Sequence, residues 1–336
     1  MNVFLIYLFF RTLYESATVP GLVEKLLCQR PAVFINSWDH FLLLDGTPGF
    51  GGFEHVGHDD NPKKELCLSS FNSYDEMRLS ALISVSSLSP FINDGGINNC
   101  GVVGNGVSHE LEGVIVGQVG ARFEKEGFME WQDCIIKRNQ NTIENGYGKD
   151  NKRPESRLLQ AWANLWGVDY LPTFDEVNDK PDIYEYIHIK DAYLHKNIYK
   201  ARIQMLAEVL LVDASTRAHE RKTKAFVHVE GLGLTVWIIS SVQKQLYIEA
   251  WIDAVNCLPH SVTRHISFIN FSSSLATTIL GLKSGDKIPT TDIKILFTAR
   301  ERLERVPRGH LLAANYSLDS NAIAGSKELY IIYLFK

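Results

Sequence analysis

Two acidic residues, Asp75 and Glu76, stand side by side in "SYDEMRLSALISVSS", downstream of a loop crowded with glycine. Adjacent carboxylates in such a place can polarise a hydroxyl group or a water molecule, as acid–base hydrolysis requires. The pair also has a purely structural use. Ser73 followed three residues later by Glu76 is a capping-box pattern, and acids are favoured at helix starts by the helix dipole. A second constellation lies in "KAFVHVEGLGLTVW", where a hydrophobic strand runs into glycines at 231 and 233. Bare backbone at a strand end, with a helix to follow, offers N–H groups to an anion such as a phosphate. In the loop Gly231, Leu232, Gly233, Leu234, Thr235, Val236, Trp237, the glycines let backbone approach a ligand. Thr235 can donate a hydroxyl bond, and Trp237 can wall a pocket. A tight strand-to-helix turn without a ligand accounts for the same residues. The pattern is not G-x-G-x-x-G, because position 236 is valine, and no Gly-Lys-Ser/Thr follows, so the usual dinucleotide and triphosphate loops are disfavoured.

A third stretch is "NSWDHFLLLDGTPGFGGFE". Asn36, Ser37, Trp38 and Asp39 close an apolar run, and Asn36 and Asp39 suit hydrogen bonds to a ribose or a base. Gly49, Phe50, Gly51, Gly52, Phe53 and Glu54 form a second loop whose backbone could cradle phosphate or ribose, or simply turn. "FINDGGINN" adds Asp94 and Asn98, residue types that bind polar ligand atoms but also build ordinary turns. Glu249 and Asp253 share a helix face one turn apart, which reads more readily as a surface stripe. His55 and His58 share a loop with Asp59 and Asp60, but no second cluster has ligand spacing, so no metal is expected.

These groups need elements to hold them. The chain has 336 residues, 45% hydrophobic and 22% charged, with a net charge of -5, enough for one large α/β domain with a sizeable core. That balance gives no electrostatic reason to expect nucleic acid or an anionic membrane as a partner. The five cysteines are odd in number and widely spaced, which reads as free thiols in a reducing compartment, consistent with a cytoplasmic location. "MNVFLIYLFF" is too short to span a bilayer and lacks a basic n-region, so a signal peptide over 1–20 is not expected. "PAVFINSW", "EGVIVGQVGARF", "AFVHVEGLGL", "ISFINFS" and "DIKILFTA" read as strands. "SYDEMRLSALISVSS", "KNIYKARIQMLAEVLLVDASTRAHERK" and "SSVQKQLYIEAWIDAVNCL" read as helices, the last with Ser240 and Gln243 in capping-box spacing. Residues 137–157 are charged and weakly periodic, and read as an exposed insertion in a single domain whose core covers about 20–330. Strands alternating with helices predict an α/β sheet sandwiched by helices, with ligands at the C-terminal ends of its strands.

The order of several stretches resembles one divergent macrodomain family of the poly(ADP-ribose) glycohydrolase type, the family that includes the Legionella effector MavL. They are "NSWDHFLLLDGTPGFGGFE", "SYDEMRLSALISVSS", "FINDGGINNCG", "VGQVGARFE", "FVHVEGLGLTVW" and "HLLAANYSLDSNAIAG". The resemblance implies a three-layer α/β/α sandwich with a central mixed sheet. It implies ADP-ribose as ligand or product, with no other cofactor, and hydrolysis of ADP-ribosyl links on arginine of a protein, ubiquitin included. By the same resemblance the Gly231–Trp237 loop holds the diphosphate, and Gly49–Glu54 shapes the distal-ribose side. Catalytic carboxylates are sought first at Asp75 and Glu76, then at Asp39, Asp94, Asp253 and Asp319. The family's C-terminal stretch resembles "YAWDGNxxPGNEYW"; here it is "YSLDSNAIAGSKELY", which keeps Asp319 and Asn321 but not the tryptophan or the proline. A reader module that binds ADP-ribose without cleaving it is the alternative.

Overall fold

The computed structural model describes residues 14, 17–28, 33–34, 39–43, 45–57, 62–96, 102–180, 185–235, 237–272, 275 and 281–316. Asn36, Ser37, Trp38, Asn98, Val236, Asp319 and Asn321 lie outside the described residues. The helices are α1 Val19–Cys28, α2 Tyr74–Ser80, α3 Trp131–Cys134, α4 Ser156–Leu165, α5 Phe174–Asn178, α6 Lys196–Glu220, α7 Val242–Cys257 and α8 His260–Thr263. The strands are β1 Val33–Phe34, β2 His40–Leu42, β3 Pro48–Phe50, β4 Val85–Pro90, β5 Glu112–Gly117, β6 Ile135–Lys137, β7 Tyr186–Ile189, β8 Ala192–His195, β9 Lys224–Val229, β10 Ile266–Ser272, β11 Lys294–Thr298 and β12 His310–Tyr316.

The central sheet has six strands in the order β11-β10-β9-β12-β5-β4. Five run parallel, and β4 joins antiparallel to β5. Strands buried on both faces need near-continuous apolar sequence, and β9 supplies it with Ala225, Phe226, Val227 and Val229 all buried. Val227, Val229 and Ala313 of the sheet share a core cluster with Leu206, Leu210 and Ala214 of α6 and Trp251 of α7. On α6 the buried residues Ile203, Leu206, Ala207, Leu210, Leu211 and Ala214 recur at three- and four-residue spacing, the stripe that docks a helix on a sheet. The other face carries Phe226 and Leu312, covered by Phe91 with Leu303 and Val306 rather than by a helix among the described residues. The observed architecture is therefore a mixed α/β sheet with a helical layer on one face and irregular chain on the other.

Three elements differ from the sequence reading. The segment after Pro31 does not enter the central sheet: β1 pairs antiparallel with β2, and β2 with β3. Its neighbours form their own core of Phe41, Phe53, Phe71 and Tyr74, so local hairpin pairing won over the long-range sheet. The helix expected to run through residue 87 stops after Ser80, and Val85–Pro90 instead pairs with β5 as an edge strand. There the β-branched Val85 and the neighbouring serines follow tertiary pairing rather than periodicity. β12, read as no element, sits at the centre of the sheet between β9 and β5. The stretch 137–157 folds as consecutive turns after β6, with Asn141 and Tyr147 buried and hydrogen-bonded.

Candidate active site

α2 starts where the sequence says it should. Ser73 caps it: its Oγ accepts from the Glu76 amide at 3.3 Å, and Glu76 Oε2 accepts from the Ser73 amide at 2.9 Å. Glu76 is buried, and its other oxygen takes contacts from Lys25 of α1 and from the Tyr14 hydroxyl. Its oxygens are thus committed to the cap and to α1. Asp75 differs. It is half-buried and takes no hydrogen bond among the described residues, and it lines a cleft of about 800 Å³. The cleft lies between α1, α2 and the chain from Gly127 to Leu159. Burial pushes the Asp75 carboxyl above the usual aspartate range, Arg78 pulls the other way, and Glu76 adds to the rise. Asp75, Glu76, Glu144 and Glu155 all line the cleft, along with Tyr14, Tyr147 and leucines, but among the described residues no Lys, Arg or His does.

Behind the cleft lies a buried charge network that positions α2. Glu130 accepts from Arg122 Nε at 3.1 Å and from Arg202 Nε at 3.2 Å. Arg78 pairs with Asp133, stands 3.6 Å over the Trp162 ring, and donates to Gln132 at 3.3 Å. Asp133 also accepts from Trp166 Nε1 at 2.7 Å. All five charged side chains are buried. Three guanidinium groups face two carboxylates here, and Asp75, in electrostatic reach of Arg78, supplies a third. Burial lowers the Arg78 pKa to about 10, with Glu130 and Asp75 acting against the fall. Burial would raise Glu130, but Arg122 and Arg202 hold it at about 2. Arg122 donates to Met77 O at 3.3 Å and Arg202 to Val119 O at 2.8 Å. The network thus ties α2, the loop after β5, α3 and α6 together.

On the other side of α2 stands Asp39, fully buried. Tyr74 and Lys125 both contact its Oδ2, and Oδ1 has no partner among the described residues. Lys125 also reaches Glu54, at 3.6 Å. The backbone amide of Gly51 donates to Asp39 O at 2.9 Å, so the glycine loop 49–54 is fastened to Asp39. Gly51 and Gly52 both take left-handed φ, 61° and 80°, conformations that favour glycine. Lys63 contacts the carbonyls of Phe50 and Gly51, the latter at 2.8 Å, while Phe50 is exposed and Phe53 is core.

The Gly231 loop sits at the C-terminal end of β9. Leu232, Leu234 and Trp237 are buried, and the amides of Leu232 and Leu234 bond back to Glu230 and Gly231 at 2.9 and 3.0 Å. Gly233 has φ 79°, and a Cβ there would lie 2.7 Å from Ala121 O. A Cβ on Gly120 would lie 2.4 Å from the Leu232 carbonyl carbon. The bare backbone therefore serves a close loop-to-loop approach, between the ends of β9 and β5. The next helix does not start at this turn; α7 begins at Val242, with Gln243 Oε1 accepting from the Ile239 and Ser240 amides at 2.8 and 3.0 Å.

The structure brings Asp75, Glu76 and Asp39 onto one helix start. The Gly231 loop is linked to them through the segment 118–122. Asp94 lies elsewhere: its Oδ1 closes an Asx turn onto Gly96 at 3.0 Å, and its carbonyl accepts from Leu303 at 2.8 Å. Asp253 and Glu249 of α7 both pair with Lys200 of α6, at 2.6 and 3.5 Å, in a helix–helix surface contact. Sequence reading did not name Arg78, Arg122, Glu130, Asp133 or Arg202. Their only early trace is polar residues inside otherwise apolar helical or loop patterns. Among the described residues there is no group of three or more His, Cys, Asp or Glu that could hold a metal ion, and no helix long and apolar enough to cross a membrane.

An α/β sheet beside a carboxylate-lined cleft at a helix start has the form of a small-molecule site. Comparison with known proteins gives the family. The MavL-like ADP-ribosylhydrolase family matches residues 9–334, and the chain belongs to that family. Among curated relatives, ADP-ribosylarginine hydrolase CG2909 of Drosophila melanogaster is 32% identical over 340 residues, spanning 94% of this chain and 65% of that protein. ADP-ribosylarginine hydrolase CG3568 of the same fly is 32% identical over 328 residues, spanning 94% of this chain and 64% of the relative. The chain thus spans somewhat under two thirds of the length of these relatives.

Proposed function

We propose that this chain is an ADP-ribosylhydrolase that cleaves the bond between ADP-ribose and an arginine side chain of a protein, on a macrodomain-like frame. Family membership and the names of the two fly relatives support the reaction class. The observation that carries the site is Asp75, a half-buried carboxyl of raised pKa lining a cleft of about 800 Å³. That volume lies within the usual range for small-ligand sites.

The chemistry follows from charge. Breaking the ribose–guanidine bond develops positive charge at the ribose carbon, and a nearby carboxylate stabilises it. A carboxyl whose pKa is raised toward neutrality is also suited to moving a proton to or from the attacking water. The cleft lining, with four acids and no base among the described residues, suits a guanidinium better than a diphosphate. We assign the arginine side of the substrate to this cleft and the diphosphate to backbone N–H groups near Gly231. Asp39, with the Gly49–Glu54 loop fastened to it through the Gly51 amide, is assigned to the ribose side. Asn36, Ser37, Trp38, Asn98, Asp319 and Asn321 remain candidate ligand or catalytic residues by resemblance.

Calorimetric titration with ADP-ribose, with AMP and NAD as controls, tests the binding half. Selective micromolar binding is expected. An arginine-ADP-ribosylated peptide, or ubiquitin modified in the same way, tests the reaction. Binding without release of ADP-ribose would instead assign a reader module.

A further inference from the structure

At the opposite, N-terminal edge of the parallel strands lies a second hollow, of about 750 Å³. His219, Lys222, Lys224, Arg264, His265 and His310 line it, with Thr223 and Gly309, and among the described residues no acid does. The lining comes from three separate stretches: the end of α6 with the turn into β9, the turn between α8 and β10, and the start of β12. In a chain of net charge -5, Lys222, Lys224 and Arg264 in one hollow, with three histidines beside them, run against the overall balance. The C-terminal dipole of α6 accounts for cations in its last turn, such as His219, but not for Arg264, His265 or His310 on other elements.

The groups are held rather than scattered. The rings of His219 and His265 lie 4.5 Å apart, and Arg264 Nε donates to His265 Nε2 at 3.0 Å. Thr223 bonds the Gly309 carbonyl, and His310 Nδ1 lies 3.0 Å from Pro307 O. Partial burial, then His219, Arg264 and Lys224, lower the His265 pKa, as expected where cationic groups crowd an imidazole. The nearby acid Asp292 is held by Lys287 at 2.6 Å, and Glu220 stays exposed outside the lining. We propose that this hollow is a second anion site, which takes a phosphoryl group at the end of the sheet away from the cleft. Lysine ammonium, guanidinium and imidazole N–H donors converging from three sides match the oxygens of a phosphate.

The test is NMR titration of the histidine side chains of the intact chain, at constant ionic strength with chloride as control. The probes are inorganic phosphate, tripolyphosphate and a phosphoserine peptide. Saturable shifts of the His219 and His265 resonances are expected, with the His265 pKa rising on binding because an anion favours the charged imidazole. The Lys224→Gln, Arg264→Gln double variant should lose about tenfold or more in affinity, equivalent to about 1.4 kcal/mol. Both residues are exposed, so its melting temperature and its ADP-ribosyl hydrolysis should match the parent. Binding of tripolyphosphate but not the peptide points to a free oligophosphate, and the reverse to a phosphorylated partner. The proposal fails if no probe gives a saturable shift at millimolar concentration, or if the double variant binds as well as the parent. Neither failure bears on the hydrolase reading, which concerns the other end of the sheet.

Discussion

Asp75→Asn keeps the shape of the side chain and removes its charge. Since Asp75 takes no hydrogen bond among the described residues, the substitution should leave folding intact while hydrolysis falls by about 10²–10⁴-fold. Glu76→Ala should act differently. It breaks the reciprocal cap with Ser73 and removes the carboxylate that Lys25 pairs with, so it should cost about 1–2 kcal/mol of stability, read by denaturant unfolding. A Glu76 variant of full stability without activity would contradict that division. The two roles were legible in the sequence as a competition: the spacing from Ser73 to Glu76 gave the cap. What separates Asp75 from Glu76 was not legible, because it depends on Lys25 and Tyr14, contacts that close over a long chain separation.

Among the elements, the two loops that meet above the sheet are set by glycine. Gly120→Ala would push a Cβ against the backbone of Leu232, and Gly233→Ala would add strain at φ 79° and press on Ala121 O. Each should lower the melting temperature and weaken ADP-ribose binding, with Gly120→Ala the worse, because its Cβ would come within 2.4–2.5 Å of three backbone atoms, against 2.7 Å for the nearest atom to a Cβ on Gly233. The glycines of the 231 loop were plain in the sequence, but their opposite number, Gly120, was not. Nothing local marks two loops as neighbours when a third strand, β12, lies between them in the sheet. β12 itself escaped notice because "HLLAANY" has neither alternation nor β-branched residues and carries two alanines, poor strand formers, so its strand depends on pairing on both sides. The charge network is the other tie between elements. Glu130→Ala strands Arg122 and Arg202 in the interior and should cost about 3–5 kcal/mol, the usual penalty for breaking a buried pair from one side.

For the whole molecule, the pH dependence of stability is set by groups far from solvent. Burial lowers the His195 pKa from 6.5 to about 4, so the unfolded chain binds the extra proton first. Its contribution is complete above pH 6.5 and is lost as pH falls toward 4. Glu130, held at about 2 against an ordinary 4.5, adds a second loss between those values. Denaturant unfolding at pH 7, 5.5 and 4 should show falling stability, and His195→Asn should flatten the upper part of that decline. The molecule also separates its charges: an acidic cleft beside α2 and a basic hollow at the far edge of the sheet. Length and composition allowed a sizeable core, and the alternation of strand and helix patterns pointed to the α/β class. Neither could give this separation, because a net charge is blind to where the sheet places each residue.

The most direct test of the account is release of ADP-ribose from an arginine-ADP-ribosylated peptide, measured for the parent chain and for Asp75→Asn, each with its affinity for free ADP-ribose. The account predicts release by the parent, a loss of about a hundredfold or more in the variant, and similar ADP-ribose binding by both. Equal rates for the two proteins, or no release by a parent that binds ADP-ribose, would contradict it.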